Sequence, residues 1–259
     1  MRPRLVAMAI VTGRAAQRLR AYVRVKGTDA EEFLQRMLSN DVTQPGVFDA
    51  LLLTPKARLI APVRVWRRGD DDFLLLTEPE LGDAVRTTLL RARLAAKCEI
   101  EAEAHTSTLV FGDAEGIPGE LPGTVEVLDS DLTPTLDPGD LERARIEAGV
   151  PAWGKELDDS ILPAEAGLDE THISFKKGCY PGQEPIARLH HRGHVNRRLR
   201  RLDVDSAAAG DEIRLGGKAV GRVTSAVAGT ALGYVRVEVP DDAELDVAGQ
   251  RASLRPHSS

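Results

Sequence analysis

Apolar residues near the start of the chain follow two spacings, and each spacing predicts a different element. Residues 21–25 (AYVRV) alternate apolar and polar side chains, as a half-buried strand does. The next apolar positions, from Phe33 to Leu38, recur at helical spacing. Thr28 and Glu31 stand just before them with the spacing of a capping box. The sequence therefore predicts a strand followed by a short helix.

Alternating and helical stretches continue through the middle of the chain. Strands are predicted at residues 51–53, 59–66, 73–77 and 125–128, with shorter ones near Ile100 and Val110. A second capping-box spacing, Thr77 with Glu80, precedes apolar positions that predict a helix to about Leu94. Residues 115–139 are rich in Gly, Pro and Asp and predict loops around one strand.

The last predicted helix precedes an all-β end. Asp137 and Pro138 suit a helix start, and Gly149 suits its C-terminal stop. After the basic residues near position 200, the predicted elements are only strands, at residues 212–215, 219–227, 232–239 and 245–254. Gly216 and Gly217 predict a hairpin turn between the first two. We expect this part to form a separate small barrel.

Composition excludes several classes of protein. A chain of 259 residues is long enough to bury a core without disulfides, and Cys98 and Cys179 show no paired-cysteine motif. This cysteine usage is typical of a reducing, cytoplasmic setting. The apolar stretch at residues 5–11 is too short to cross a bilayer, so we expect no membrane association. The net charge of -6 disfavours a surface built for nucleic acid.

One basic segment interrupts this acidic protein. Residues 188–201 (RLHHRGHVNRRLRR) contain six arginines, three histidines and no acid. His190 and His194 have the spacing of helical metal ligands, but no carboxylate or cysteine ligand lies nearby and Gly193 weakens the helix. The segment also lacks aromatic residues for base stacking. An anion clamp or a site for an acidic partner protein is therefore favoured, and no metal ligand is assigned.

The segment KGCYPGQEP, residues 177–185, concentrates groups that can carry chemistry. Its glycines and prolines exclude a long helix and predict a shaped loop. Lys176 and Lys177 favour a thiolate at Cys179, whereas the alternative is an inert, half-buried cysteine. Gln183 and Glu184 can bind the edge of a heterocycle, although Glu184 can equally pair with another residue, Arg188. Cys98 is expected in the core.

Three segments, residues 25–42, 145–168 and 174–199, resemble the YgfZ family, the folate-binding relatives of the aminomethyltransferase (T-protein) of the glycine cleavage system. The Lys-Gly-Cys-Tyr-x-Gly-Gln-Glu block that starts at Lys177 is the most specific match. The resemblance implies an α+β fold with three modules around a central channel for tetrahydrofolate. It also implies a role in assembling or repairing iron-sulfur clusters in client enzymes, with assembly proteins or those enzymes as partners.

The resemblance also implies domains and site residues. The expected domains are a discontinuous folate-channel domain (1–48 with 148–195), a ferredoxin-like α+β domain (49–147) and a C-terminal β-barrel (196–259). Cys179 and Lys177 are expected at the reactive site, and Arg145, Lys177, Gln183 and Glu184 are expected to bind folate. Arg145 belongs to the segment R-x-E-A-G, and its guanidinium suits the folate glutamate carboxylate.

One departure from the transferase pattern bears on activity. The glycine cleavage enzymes carry a paired-aspartate segment in the strand that corresponds to residues 59–65, where this chain has Ala61 and Pro62. Without that acid, no residue steers the proton transfers of aminomethyl chemistry, so aminomethyltransferase activity is not expected. The alternatives are a folate-dependent one-carbon transferase or demethylase that uses another acid, and a binding module in which Cys179 is inert.

Overall fold

The computed structural model describes residues 13–255, which contain fifteen strands in three sheets. In chain order the strands are β1 (Arg14–Gln17), β2 (Ala21–Lys26), β3 (Gly46–Leu53), β4 (Leu59–Arg67), β5 (Asp72–Thr77), β6 (Glu99–Glu103), β7 (Ser107–Phe111), β8 (Ile117–Pro118), β9 (Thr124–Leu128), β10 (Arg197–Val204), β11 (Glu212–Leu215), β12 (Lys218–Val227), β13 (Gly229–Arg236), β14 (Glu244–Val247) and β15 (Gln250–Leu254).

Four α-helices accompany the sheets in these residues: α1 (Ala30–Met37), α2 (Gly82–Ala92), α3 (Pro138–Ala148) and α4 (Gln183–Arg192). Two short 3₁₀ helices span Pro79–Leu81 and Pro163–Glu165. The helices are separated along the chain by strands or long loops, so each packs against a sheet rather than against a helical partner in a bundle.

The largest core lies between a five-stranded sheet and two helices. All neighbours in the sheet are antiparallel, in the order β3-β4-β5-β2-β6. Phe33 and Leu34 of α1 and Val85 and Leu89 of α2 are fully buried against one face of this sheet. Burying one such side chain contributes roughly 1.5–3 kcal/mol. The helical spacing read from the sequence is therefore the spacing that covers the sheet.

The opposite face of this sheet meets a second sheet, in the order β1-β7-β9-β8. Tyr22, Leu74 and Leu76 pack there with Ile117 of β8. The contact also contains buried charges, since Arg20 pairs with Glu126, whose side chain is fully buried. The two sheets thus enclose a space that is partly apolar and partly ionic.

Pro62 ends the pairing between β4 and β5. The ladder runs from Arg67 opposite Phe73 to Arg64 opposite Leu76 and goes no further. The Pro62 carbonyl accepts a hydrogen bond from the Thr77 hydroxyl instead (2.8 Å), and its nitrogen carries no hydrogen to extend the ladder. The two strands therefore separate at this point, where a cavity opens.

The helix α3 has the caps that its sequence predicts. The Asp137 carboxylate accepts a hydrogen bond from the Asp140 backbone, and the Asp140 carboxylate accepts one from the Asp137 backbone, which completes a capping box. Gly149 adopts a left-handed conformation (φ 76°) at the end of the helix. These caps fix where the chain leaves the helix, and the following loop, residues 150–182, forms the walls of the candidate site.

The last sheet is a closed barrel, in the order β10-β13-β12-β11-β14-β15. Its interior is apolar and includes Leu202, Ile213 and Val247, none of which is exposed. Gly221 is required where β12 pairs with β13, because a Cβ at this position would lie 2.3 Å from the Tyr234 carbonyl oxygen. The predicted barrel is confirmed.

Several sequence predictions need correction. Thr28 and Thr77 do not cap the helices α1 and α2, since neither helix has a side-chain cap hydrogen bond. The predicted strand at 245–254 is two strands joined by a turn, β14 and β15. Strand β1 was not predicted. The predicted domain boundary at residue 48 falls inside β3, and β2 pairs with β5, so the sheets group the chain differently from the predicted domains.

Candidate functional site

The loop that presents Cys179 is anchored by Lys177. The Lys177 ammonium donates hydrogen bonds of 2.7 Å to the backbone carbonyls of Leu38 and Asn40, at the end of α1. Burial lowers the pKa of Lys177 to about 8, and Asp41 partly opposes that shift. The Ser174 backbone adds a hydrogen bond to the Ser39 carbonyl (3.0 Å). Lys177 therefore fixes the loop to the end of α1, in addition to any role beside the thiol.

Gln183 and Glu184 lie in the first turn of α4 rather than in the predicted loop. The change of direction takes place at Gly182, whose φ of 85° lies in the left-handed region. A Cβ at this position would come within 2.7 Å of the Thr54 carbonyl oxygen, so only glycine fits. Gln183 is half-buried and Glu184 is exposed. The loop proper is therefore residues 174–182.

The two cysteines occupy opposite environments. Cys179 is free and exposed, whereas Cys98 is free and 5% exposed in the main core, where burial raises the pKa of its thiol. Next to Cys179, the Tyr180 ring is buried in the cluster that joins the sheets to the barrel. The loop thus turns one side chain into the protein and the neighbouring thiol toward solvent. The prediction that Cys98 belongs to the core is confirmed.

Two cavities lie beside the face of the five-stranded sheet that α1 and α2 leave free. The larger, about 390 Å³, lies between β1, the start of α3 and the residues after that helix. The smaller, about 100 Å³, lies where β4 and β5 separate. Their linings share Glu78, Glu120, Val150 and Pro151, so the cavities adjoin each other. We call them the central cavities.

Buried ion pairs form one wall of the central cavities. Glu120 binds both Arg18 (2.5 Å) and Arg20 (3.0 Å), and Arg18 also binds Glu78 (2.6 Å). Burial alone would raise the pKa of Glu120, but the two arginines outweigh burial and hold the pKa at about 2. These charges satisfy one another, so they shape the wall rather than offer free groups to a ligand.

Asp49, Arg64 and His172 line the smaller cavity and offer groups that are not fully paired. Arg64 donates from Nε to Asp49 (2.9 Å) across the β3–β4 pair, but its Nη1 is buried without a hydrogen-bond partner among residues 13–255. Burial lowers the pKa of His172, which keeps the ring neutral at pH 7, although Asp49 opposes the shift. Such a constellation can donate to and accept from a heterocycle.

Only one of the two positions of the missing acid pair faces the central cavities. Pro62 lines the smaller cavity, two residues before Arg64 on the same face of β4. Ala61 points to the opposite face and is buried in the main core. A carboxylate that serves a ligand in this cavity could therefore occupy only the proline position. In this chain the carboxylate that strands β3 and β4 contribute to the smaller cavity is Asp49, which is bound to Arg64.

Arg145 lines the larger cavity but has no free donor. Its five N–H groups donate to Glu142 twice (2.7 and 3.0 Å), to Glu156 (2.8 Å), to the Val150 carbonyl (2.5 Å) and to Ser225 (2.9 Å). Glu156 is fully buried and also accepts from the Ser225 hydroxyl (2.6 Å). A folate carboxylate would have to displace one of these partners. The structure therefore favours a structural role for Arg145 over the expected clamp.

The structure does not bring the expected site residues to one place. Among the described residues, neither central cavity has Lys177, Cys179, Gln183 or Glu184 in its lining. The two regions are nevertheless neighbours, because Ser39 contacts both of them. Its hydroxyl donates to the His172 carbonyl (2.6 Å), and its carbonyl accepts from the Ser174 backbone (3.0 Å). The cavity residues Asp49, Arg64 and His172 were missed. The available signal was a polar residue alternating within an apolar strand, as in PVRVW.

The basic segment does not form the considered metal site. His190 and His191 lie on α4, which ends at Arg192, so His194 lies beyond the helix that would align it with His190. Within residues 13–255, no cluster of three or more His, Cys, Asp or Glu side chains could hold a metal ion. The described helices also include none that is long and apolar enough to cross a membrane.

Comparisons with known proteins agree with this architecture. Residues 196–258 match the C-terminal β-barrel domain of CAF17. The chain is 27% identical to the mitochondrial iron-sulfur cluster assembly factor IBA57 homolog of Phaeosphaeria nodorum, over 79% of this chain and 58% of that protein. It is 27% identical to the tRNA-modifying protein YgfZ of Enterobacter sp., over 69% of this chain and 68% of that protein. The chain is thus similar in sequence to the YgfZ and IBA57 proteins.

The human mitochondrial IBA57 is similar as well, at 27% identity over 70% of this chain and 63% of that protein. The chain thus spans less than two thirds of these mitochondrial relatives. Among solved structures, the glycine cleavage aminomethyltransferase T of Bartonella henselae superposes with a TM-score of 0.77, covering 95% of this chain and 86% of that one, at 17% identity. The expected aminomethyltransferase-like fold and the family resemblance are confirmed.

We predict that Arg145→Met lowers the free energy of unfolding by about 3 kcal/mol, because it leaves the buried Glu156 without its cation. Urea unfolding measures this loss. The control is Arg143→Met on the same helix, whose exposed pair with Glu147 contributes about 0.5 kcal/mol or less. If Arg145→Met were as stable as the control but lost folate binding, the original clamp hypothesis would be correct.

The same variant should change the pH dependence of stability. The hydrogen bonds from Arg145 lower the pKa of Glu142 to about 2 from an ordinary 4.5. The stability that this shift contributes is present above pH 4.5 and is lost as the pH falls toward 2. In Arg145→Met the free energy of unfolding should therefore fall less steeply across this range.

We predict that iodoacetamide at neutral pH alkylates Cys179 much faster than Cys98, because only Cys179 is exposed. Mass spectrometry of digested protein after timed quenching gives both rates. Cys179→Ser should remove the fast reaction and leave Cys98 unchanged. Equal rates for the two cysteines would show that the loop does not present the thiol as described.

Proposed function

We propose that this chain is an accessory protein for the assembly or repair of iron-sulfur clusters in client enzymes, and that it binds a reduced folate in its central cavities. The observation that supports the first part is the similarity to proteins named as iron-sulfur cluster assembly factors, which covers 79% of this chain for the Phaeosphaeria nodorum protein and 70% for the human protein.

 The match to the YgfZ protein of Enterobacter sp. covers 69% of this chain. A match over 79% of the chain necessarily includes the Cys179 loop, whichever end of the chain it leaves out.

The exposed thiol suits this role chemically. Cysteine thiolates are the usual ligands of iron-sulfur clusters, and a soft sulfur ligand binds iron better than an oxygen does. Cys179 stands on a loop that Lys177 and Gly182 fix in place, so the thiol is presented to a partner without being buried. The partners are therefore client enzymes or assembly proteins that carry or receive the cluster as cargo.

The fit of a folate rests on the smaller central cavity. The buried Nη1 of Arg64 lies 3.6 Å from the Glu126 carboxylate but has no hydrogen-bond partner in the described chain, and a ligand carbonyl oxygen would supply one. Asp49 can accept from ring N–H groups, and the neutral His172 can bind either kind of group. In the larger cavity Leu19, 62% exposed, offers an apolar surface to the middle of the ligand. A bound folate would supply one-carbon carrier chemistry.

The tail of the folate is not explained by these residues. In the described lining of the larger cavity, both arginines, Arg18 and Arg145, are already bound to carboxylates. We therefore assign the ring end of the ligand to Asp49, Arg64 and His172, and no residue to its glutamate. Lys177, Gln183 and Glu184 remain proposed folate contacts only if the ligand extends beyond the central cavities toward the Cys179 loop.

The competing function is a folate-dependent one-carbon transferase or demethylase. It needs an acid or base beside the ligand, and Asp49 is the carboxylate that the β3–β4 face supplies. Asp49 already accepts a hydrogen bond of 2.9 Å from Arg64, which suits a role in holding a ligand better than one in proton transfer. Turnover of a methylated amine by the purified protein with tetrahydrofolate would establish this alternative.

We place the protein in a reducing compartment such as the cytoplasm, because both of its cysteines are free.

We predict that tetrahydrofolate changes the fluorescence of Trp153, which lines the smaller cavity, in a saturable anaerobic titration. Trp153→Phe should remove the signal and Trp66→Phe should keep it. Arg64→Met should weaken binding about tenfold, since it removes a charged donor. The control is Arg67→Met on the same strand, whose guanidinium pairs with Glu31. If wild-type protein gives no saturable change, the folate part of the proposal is wrong.

We predict that Cys179→Ser abolishes rescue of iron-sulfur enzyme activity in cells that lack the protein, because the soft sulfur ligand is lost while the shape is kept. Cys98→Ser is the matched control at the other cysteine, and thermal unfolding of both variants tests whether they fold. Full rescue by a stable Cys179→Ser variant would exclude thiol chemistry and leave the loop a positioning role.

A further inference from the structure

A third cavity, of about 410 Å³, lies outside the central cavities and beside the Cys179 loop. Its lining comes from both sides of that loop: Ile173 and Phe175 precede Cys179, and Pro185 and Ile186 follow it. Arg198, at the start of the barrel, closes another side. We call this cavity the loop groove. The loop groove therefore borders the chain segments on both sides of the loop that carries the exposed thiol.

The loop groove is apolar inside and cationic at its edge. Phe175 is 36% exposed, and its ring stacks on that of His190 with centroids 3.9 Å apart. Arg188, Arg198 and His194 complete the polar part of the lining, with Asp169 as its single acid among the described residues. This combination fits a molecule that has apolar groups and negative charge.

The two arginines of the groove differ from their neighbours in the basic segment. Arg197 pairs with Glu165, and Arg200 pairs with Asp241. Arg188 and Arg198 are exposed, and no ion pair or side-chain hydrogen bond within residues 13–255 involves either of them. In a protein with a net charge of -6, two unpaired arginines that line one cavity are available to an external anion.

The groove continues past Arg198 onto the barrel. A second cavity, of about 250 Å³, shares Arg198 with the loop groove and is also lined by Arg236, by Val237, which is 44% exposed, and by the Arg200–Asp241 ion pair. Phe175 and Val237 are thus two exposed apolar side chains on either side of an unpaired arginine. A surface of this length suits an extended chain segment better than a compact small molecule.

We propose that the loop groove binds an acidic segment with apolar side chains, belonging to the protein that Cys179 serves. This rests on the proposed function for the identity of the partner, but the charge and shape of the groove stand independently of it. Apolar side chains of the segment occupy the space around Phe175, and its carboxylates face Arg188 and Arg198. The partner is thereby held with its adjacent surface at the thiol.

The test uses the full chain and a fluorescein-labelled peptide with Leu-Phe at its centre and glutamates on both sides, followed by fluorescence anisotropy. Arg188→Glu with Arg198→Glu should weaken binding about tenfold or more, through lost attraction and new repulsion. The control is Arg14→Glu with Arg91→Glu, which changes the net charge equally at two exposed arginines outside the groove. A peptide with lysines in place of the glutamates should not bind.

A second pair of variants tests the apolar part of the loop groove. Phe175→Ala should weaken binding of the acidic peptide several-fold, whereas Leu90→Ala, which removes an apolar side chain of the same 36% exposure on α2, should not. Equal affinity of wild type and the Arg188/Arg198 double variant would overturn the proposal. So would a single-stranded RNA oligonucleotide that displaces the peptide at equal concentration, since the groove would then be a nucleic-acid site.

Rescue of iron-sulfur enzymes separates this proposal from the function on which it rests. If wild-type protein rescues and the Arg188/Arg198 double variant, folded by thermal unfolding and still alkylated at Cys179, does not, both proposals are supported. If the double variant rescues fully, the groove proposal is wrong and the accessory function stands. If wild-type protein itself does not rescue, the accessory function is wrong, and the peptide experiment alone decides the groove.

Discussion

The buried ion pair between Arg145 and Glu156 is the contact on which the candidate site depends. It joins α3 to the following loop, and Ser225 extends it to the barrel. The Glu156 backbone carbonyl also accepts from the Tyr234 hydroxyl of β13 (2.9 Å). The loop held in this way supplies Val150, Pro151 and Trp153 to the central cavities. Burying a charged pair carries a desolvation penalty, but removing one partner of a buried pair destabilises the protein strongly because the other charge is left unpaired.

A second constraint connects the cavity to the thiol. Residues 38–40, just after α1, bind Lys177 through two carbonyls, and Ser39 binds the backbone on either side of residue 173. Ser39 is fully buried and also accepts from the Leu51 backbone of β3 (2.8 Å). One short segment therefore fixes both the His172 end of the smaller cavity and the base of the Cys179 loop. A ligand that contacts His172 is therefore linked to the Cys179 loop through these hydrogen bonds.

Local patterns predicted most of the fold. The alternation in β4, the apolar run in β5 and the Asp137 and Gly149 ends of α3 are signals that reside in adjacent residues, and the structure contains these elements. The Thr28 and Thr77 caps failed because a capping-box spacing does not guarantee the hydrogen bond, and the Thr77 hydroxyl binds Pro62 instead. The site was less predictable. Asp49, Arg64 and His172 meet only after two strands and a loop assemble, which no local pattern encodes.

Arg145 is a second case in which a local pattern did not predict the role of a residue. A guanidinium in a recognisable segment suits a ligand carboxylate, but its availability depends on acceptors far along the chain, such as Ser225. The contrast with Arg188 and Arg198 is physical: these arginines occur in a segment rich in cations, where the described carboxylates are too few to pair all of them. An arginine that remains unpaired at an apolar groove keeps its donors for another molecule. For this chain, pairing rather than sequence motif therefore separates structural arginines from those that can recognise a partner.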